Sequence, residues 1–175
     1  MNRKDHWNQV YRTKAPTEVS WYQTHPAISL KLIAASGVGK KQGIIDVGGG
    51  TSVLVDCLLD AGYQKLAVLD VSAAALAHAR QRLGPRAGKV AWLEADVTDF
   101  QSPHRFGLWH DRAVFHFLTD SEDRQRYVTA LRRTLKADGH VAIATFGVGG
   151  PLQVQRTRRD ALRRTVDLRR AWHGV

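Results

Sequence analysis

The run Ile44–Ser52, IIDVGGGTS, places a carboxylate two residues before three consecutive glycines, at the end of an apolar stretch. Glycine lacks a Cβ, so a backbone built from it can turn sharply and approach another group closely. A second carboxylate, Asp70, ends the next apolar stretch, 20 residues beyond Gly50. That is the distance at which an acid accepts hydrogen bonds from ribose hydroxyls. Turn and acid together indicate a site for a nucleoside-bearing cofactor; the plainer alternative is a tight turn. Two histidines, His110 and His116, sit in the run Trp109–Leu118 (WHDRAVFHFL). Imidazole titrates near neutrality, so both are candidate general bases. The plainer readings are a local His110–Asp111 pair, and packing of His116 between Phe115 and Phe117.

The sign of the charge separates the candidate cofactors. Gly48 and Gly50 supply the first two glycines of the dinucleotide fingerprint, but Val53 occupies the third position. Asp46 would repel a pyrophosphate. S-adenosylmethionine has no phosphate, and its ammonium and sulfonium are attracted to a carboxylate. A nicotinamide-dependent oxidoreductase is therefore the weaker alternative. A third reading is a module that binds cofactor but is catalytically inactive.

These residues need a scaffold of alternating strands and helices, and the chain supplies one. Apolar β-type runs occur at 44–47, 65–71, 89–94, 107–111 and 140–146. Between them lie helical stretches at 52–61, closed by Gly62, and at 73–83, capped by Ser72. Thr119 and Glu122 have the spacing of a capping box, and the helix they open carries Tyr127, Val128, Leu131 and Leu135 on one face. That helix is expected to end at Ala137-Asp138-Gly139. Continuous apolar strands separated by helices predict a doubly wound, mostly parallel α/β sheet covered on both faces. Ahead of it, a segment with Trp7, Tyr11, Trp21 and Tyr22 leads into a helix at 26–35, with Pro26 in its first turn.

Composition narrows the class. The 175 residues suit a single domain. No apolar run is long enough to span a membrane, and the polar, aromatic N-terminus does not read as a secretory signal. One cysteine, Cys57, fits a reducing cytoplasm and reads as a small core residue. Net charge is +10, and half of it falls in the last 25 residues, which hold seven arginines against two aspartates. No zinc-ligand spacing, RNP-type strand or recognition-helix signature accompanies that charge, so a nucleic-acid partner is not expected and no metal is called for.

The motifs resemble those of class I S-adenosylmethionine-dependent methyltransferases, with DVGGGTS as their first motif. The likeness runs from His6 to about Gly150. It is nearest to a small bacterial group with a W-x-x-x-Y…SWYQ entry (Trp7, Tyr11, Ser20–Gln23), LEADV (Leu93–Val97) and WHDRAVFHFL. The resemblance implies a Rossmann-like transferase with an N-terminal helical lid over residues 1–36. It places the methionine portion of S-adenosyl-L-methionine at Asp46 and Gly48, Gly49 and Gly50, and the ribose at Asp70. Val71 would lie beside the adenine, Asp96 would accept from its amino group, and Val97 would offer its N–H to the ring. His110 would face the methyl donor. Trp7, Tyr11, Trp21 and Tyr22 would cover cofactor and acceptor. The run after the fourth strand lacks N-P-P-[YF], which points away from base nitrogens and glutamine amides, toward a small molecule or a protein lysine.

The same likeness makes the end of the chain unusual. The family sheet ends in a two-strand hairpin, but residues 151–175 show no strand signal. Ala161, Thr165, Leu168 and Trp172 share one helical face, so an amphipathic helix is one reading. Allowed codons from Gln153 onward, read one base later, can spell the family's C-S-G-L…R-Y…E-L-G-x-G-F continuation. The expectation is a methyltransferase domain over 1–150 and a frameshifted Arg-rich tail. The fifth strand would then form an exposed edge, open to homodimer formation.

Overall fold

The computed structural model of the protein describes residues 2–19 and 21–145. Five parallel strands form one sheet in the order β3-β2-β1-β4-β5: β1 (Gly43–Val47), β2 (Lys65–Asp70), β3 (Val90–Glu94), β4 (Phe106–Arg112) and β5 (Leu135–Ala144). Before β1 lie α1 (Arg3–Thr13) and α2 (Ala27–Ala35); α3 (Leu54–Asp60) follows β1, α4 (Ala73–Leu83) follows β2, and α5 (Ser121–Thr134) follows β4. The doubly wound expectation holds.

Alternation along the strands divides the core. Ile44, Leu66, Val68 and Leu108 face α2, α3 and α4. Ile45, Val47, Leu69 and Trp109 face α5 through Tyr127 and Leu131. Both faces of the central strands are buried, as their continuous apolar sequences require. Strand order reverses on either side of β1, whose neighbours are β2 and β4. In open parallel sheets a crevice forms outside the strand ends at that switch point.

Local chemistry matches the sequence closely at α4. The Ser72 side chain accepts from the Ala75 N–H, and Gly84, with φ +56°, ends the helix.

Other boundaries differ. Asp120 rather than Thr119 caps α5, accepting from the Glu122 N–H at 2.7 Å. Its carboxylate also complements the positive end of the helix, which a threonine hydroxyl cannot. Pro26 is the N-cap of α2 and lies outside the first turn. Leu135 belongs to β5, paired with Phe106, and the register jumps to Leu108–His140. The Ala137-Asp138-Gly139 run is thus an irregularity inside the strand, not the end of the helix. Leu131 and Leu135 share a helical spacing, but a leucine facing the same core from a strand gives the same pattern. Cys57 is half-buried rather than in the core. Phe146 and the tail at 151–175, with its helix and frameshift readings, lie outside the described residues, as does Ser20.

Candidate functional site

Four successive strands end at one crevice. The turn after β1 is held by Gly48, with φ +66°, and Gly50, with φ +30°, conformations costly for any residue with a Cβ. Space is equally short. A Cβ on Gly49 would lie 2.6 Å from Asp46 Oδ2, and one on Gly50 would lie 2.6 Å from Asp70 Oδ2. A Cβ on Gly48 would collide with Val114. The glycines therefore let the chain close over two carboxylates.

Those carboxylates have different partners. Asp46 is 4% exposed; its Oδ1 accepts from His110 Nδ1 at 2.7 Å. Its Oδ2 has no hydrogen-bond partner among the described residues. Asp70, at the end of β2, accepts from the Ser72 N–H at 2.8 Å. Burial pushes its pKa up to about 7, and nearby Asp46 adds to that, against the opposing N–H groups.

The cavity over these strand ends is lined by Gly48, Asp70, Val71, Asp96, Val97 and His116, with Trp7, Tyr11 and Trp21 above. The helical segment α1 supplies two of the aromatics. Trp7 meets Trp21 and Phe117 edge-on, at ring separations of 5.7 and 5.1 Å, and lies against Tyr11. The helix is fastened by polar contacts. Asn8 Oδ1 accepts from Ser72 Oγ at 2.9 Å and meets the Ala74 N–H, while Tyr11 O contacts His78 Nε2 at 3.0 Å. Arg3 donates to Asp96 at 2.6 Å and to Asp123. Asp96 also accepts from the N–H and hydroxyl of Thr98, so it combines the turn expected at that point with a place on the wall. Burial and the field of Asp70 raise Tyr11 to about 12, so its phenol stays neutral.

Other sequence candidates are off that wall. His110 lies within β4, and its Nε2 meets Ser29 Oγ on α2 at 2.9 Å. It pairs in register with Asp46, so both side chains project to the α2 face. Asp46, Gly49, Gly50 and Tyr22 are likewise not among the lining residues. His116 does line the cavity, tilted against Phe117 at 4.2 Å, and burial lowers its pKa to about 4.

The WHDRAVFHFL run now has a physical reading. Trp109 Nε1 donates to Tyr127 OH at 2.9 Å, and that hydroxyl donates to Asp111 at 2.7 Å. Asp111, wholly buried with its pKa raised to about 6 by that burial, also accepts from the Val114 and Phe115 N–H groups. This brace holds the turn that starts at Ala113, with φ +76°, and presents Arg112, His116 and Phe117 to the cavity. Arg3, Arg112 and Phe117 were not singled out in the sequence. A cation in a run otherwise made of apolar residues, two histidines and Asp111 was the available signal for Arg112.

The methyltransferase domain family matches residues 44–139, more than half of the chain and all of the glycine turn, Asp70 and β4. The chain belongs to the methyltransferase domain family. Among its relatives, the eEF1A lysine and N-terminal methyltransferase of Mus musculus is 27% identical over 142 residues, covering 77% of this chain. The chain spans 20% of that relative's length. Among solved structures, the glycopeptide N-methyltransferase MtfA complexed with S-adenosyl-L-homocysteine superposes with a TM-score of 0.63 at 18% identity, over 84% of this chain and 62% of that one. NodS from Bradyrhizobium japonicum, an N-methyltransferase in complex with the same compound, gives 0.61 at 21%, over 70% and 64%. These likenesses share the methyltransferase fold. The crevice of this methyltransferase domain also suits the cofactor chemically: it offers an acid at the end of β2 and a glycine turn without side chains, with the buried Asp46 carboxylate directly behind that turn.

Proposed function

We propose that this methyltransferase domain transfers a methyl group from S-adenosyl-L-methionine to an amine on a small molecule or protein. The observation that carries the reading is the pair of carboxylates, Asp46 and Asp70, closed under a glycine turn at the switch point of the sheet. Negative charge there opposes a pyrophosphate and favours a cationic cofactor. The names of relatives and structural neighbours, acting on lysine, N-termini and glycopeptide nitrogen, support a nitrogen acceptor.

When bound, the cofactor supplies an electrophilic methyl group on sulfur. The chain's part is to hold it and exclude water, which is where most of the rate of a displacement arises. Asp46 and Gly48–Gly50 take the methionine end, Asp70 the ribose, and Val71, Asp96 and Val97 the adenine. Trp7 and Tyr11 close over the cofactor, with Trp21 and Tyr22 toward the acceptor. His116, on the cavity wall and kept neutral by burial, accepts a hydrogen bond from the acceptor and orients it. His110, bonded to Asp46 and Ser29, acts by holding Asp46 in place. We place the domain in the cytoplasm of a bacterium and assign residues 151–175 to an appendage outside it. In a homodimer, the outer edge of β5 would be the contact.

Calorimetry with S-adenosylmethionine, S-adenosylhomocysteine and NADH in parallel tests the cofactor. Saturable binding of the first two without NADH is expected; NADH binding alone would identify an oxidoreductase instead. Binding with no methyl transfer to any lysine peptide or amine would mark a cofactor-binding module without activity.

A further inference from the structure

Three basic side chains line the cavity: Arg3, Arg112 and His116. Arg3 is committed to Asp96 and Asp123, and His116 is held neutral by burial. Arg112 is different. It ends β4, partly buried, and its guanidinium donates to Trp21 O at 2.9 Å. A guanidinium presents five N–H groups in a planar fork, and Trp21 O takes one of them. Among the described residues no carboxylate lies within ion-pair distance; Asp46 acts on it only through its longer-range field. Removing a cation from water without a paired anion is costly. An anion that arrives with the ligand would offset that cost.

We propose that Arg112 is the carboxylate receptor of the cavity, and that the carboxylate is the one on the amino-acid end of S-adenosylmethionine. The inference rests on the cofactor reading above and follows from the order of the strand ends. Across β3, β2, β1 and β4, the crevice meets Asp96, Asp70, Gly48 and Arg112 in turn. With the base toward Asp96 and the ribose on Asp70, the rest of the cofactor runs over β1 to β4. Two strand spacings separate Asp70 from Arg112, roughly 10 Å, a span suited to the chain from ribose to carboxylate. The neighbouring strand supplies the opposite sign: Asp46, facing the same side of the sheet, keeps Oδ2 unpartnered. An amino-acid head group carries an ammonium and a carboxylate on one carbon. The fork geometry of arginine suits a bidentate carboxylate, and Asp46, buried behind the wall on the adjacent strand, contributes a negative field that favours the ammonium on the same carbon.

The test compares two ligands with the full chain. S-adenosylhomocysteine and 5′-methylthioadenosine share the nucleoside and sulfur, but the second lacks the amino-acid end. Wild type should bind the first more tightly. Arg112→Gln should weaken S-adenosylhomocysteine roughly 10- to 100-fold, the loss of a charged hydrogen bond, and leave methylthioadenosine unchanged. If both ligands weaken together, Arg112 is only holding Trp21 and the proposal falls. It falls equally if neither changes, or if wild type binds both alike. Should Arg112→Gln fail to fold, Arg112→Lys decides: a point charge should narrow the preference several-fold without abolishing it, and an unchanged preference overturns the proposal. Wild type binding neither ligand would overturn the cofactor reading itself.

Discussion

Asp70 shows how one side chain can couple stability, pH and binding. Its carboxyl is buried at the cavity wall with a pKa of about 7, and Asp111 is raised to about 6. An acid raised by folding holds a proton in the folded state that the unfolded chain has released. The penalty is absent near pH 4, grows as pH rises, and is complete above the folded pKa. His116, lowered to about 4, has the opposite slope between pH 4 and its ordinary value, but it is one group against two. The ligand-free protein should therefore melt at a lower temperature at pH 7.5 than at pH 5.5, and Asp70→Asn should flatten that difference. Cofactor binding should run the other way. Ribose hydroxyls donate best to the ionised carboxylate, so affinity should rise with pH and level off above about 7.5. Affinity that is flat from pH 6 to 8 would remove Asp70 from the ribose site.

At the scale of elements, α1 is the part whose stability should differ from the rest. Besides the Trp7 and Tyr11 rings, its fastenings to the rest of the domain are polar: Asn8 on Ser72 and Ala74, His78 on Tyr11 O, and the Arg3 and Lys4 ion pairs with Asp96, Asp123 and Glu94. Tyr11 is its buried residue. Partly exposed ion pairs contribute little and are screened by salt. Local opening of α1 should thus need less free energy than global unfolding. In hydrogen exchange, amides of Arg3–Thr13 should exchange faster than those of β1 and β4, and cofactor should slow them. Asn8→Ala should speed that exchange, at a cost of about 1 kcal/mol to the docked helix, while leaving the melting of the sheet nearly unchanged. If α1 exchanges only with global unfolding, it is ordinary core packing and not a lid.

For the whole molecule, the sheet's outer edge matters most. Among the described residues no strand pairs with the far side of β5, whose inner side pairs with β4. An unpaired edge leaves backbone N–H and C=O groups open to pairing with another chain. Sedimentation at increasing concentration should show a dimer, and that dimer should keep its cofactor binding. A monomer at all concentrations would mean that the edge is covered. The coding DNA for Gln153–Val175 tests the tail separately, because a frameshift must leave the family's continuation readable one base later.

Strands, helices and the glycine–acid spacing were legible because they rest on periodicity and on residue types that few conformations tolerate. The Ser72 cap, the Gly48–Gly50 turn and Asp70 at a strand end are local facts of this kind. The end of α5 was not legible, because helical spacing and a strand packed on the same core produce the same row of leucines. Which histidine faces the cavity was also undetermined. His110 and His116 sit in one run, and only the pairing of β4 with β1 turns His110 toward Asp46 and Ser29, while the turn braced by Asp111 carries His116 to the wall. Arg112 became visible for the same reason: a cation's role depends on which charges stand near it in space, and Asp46 is 66 positions away in the chain.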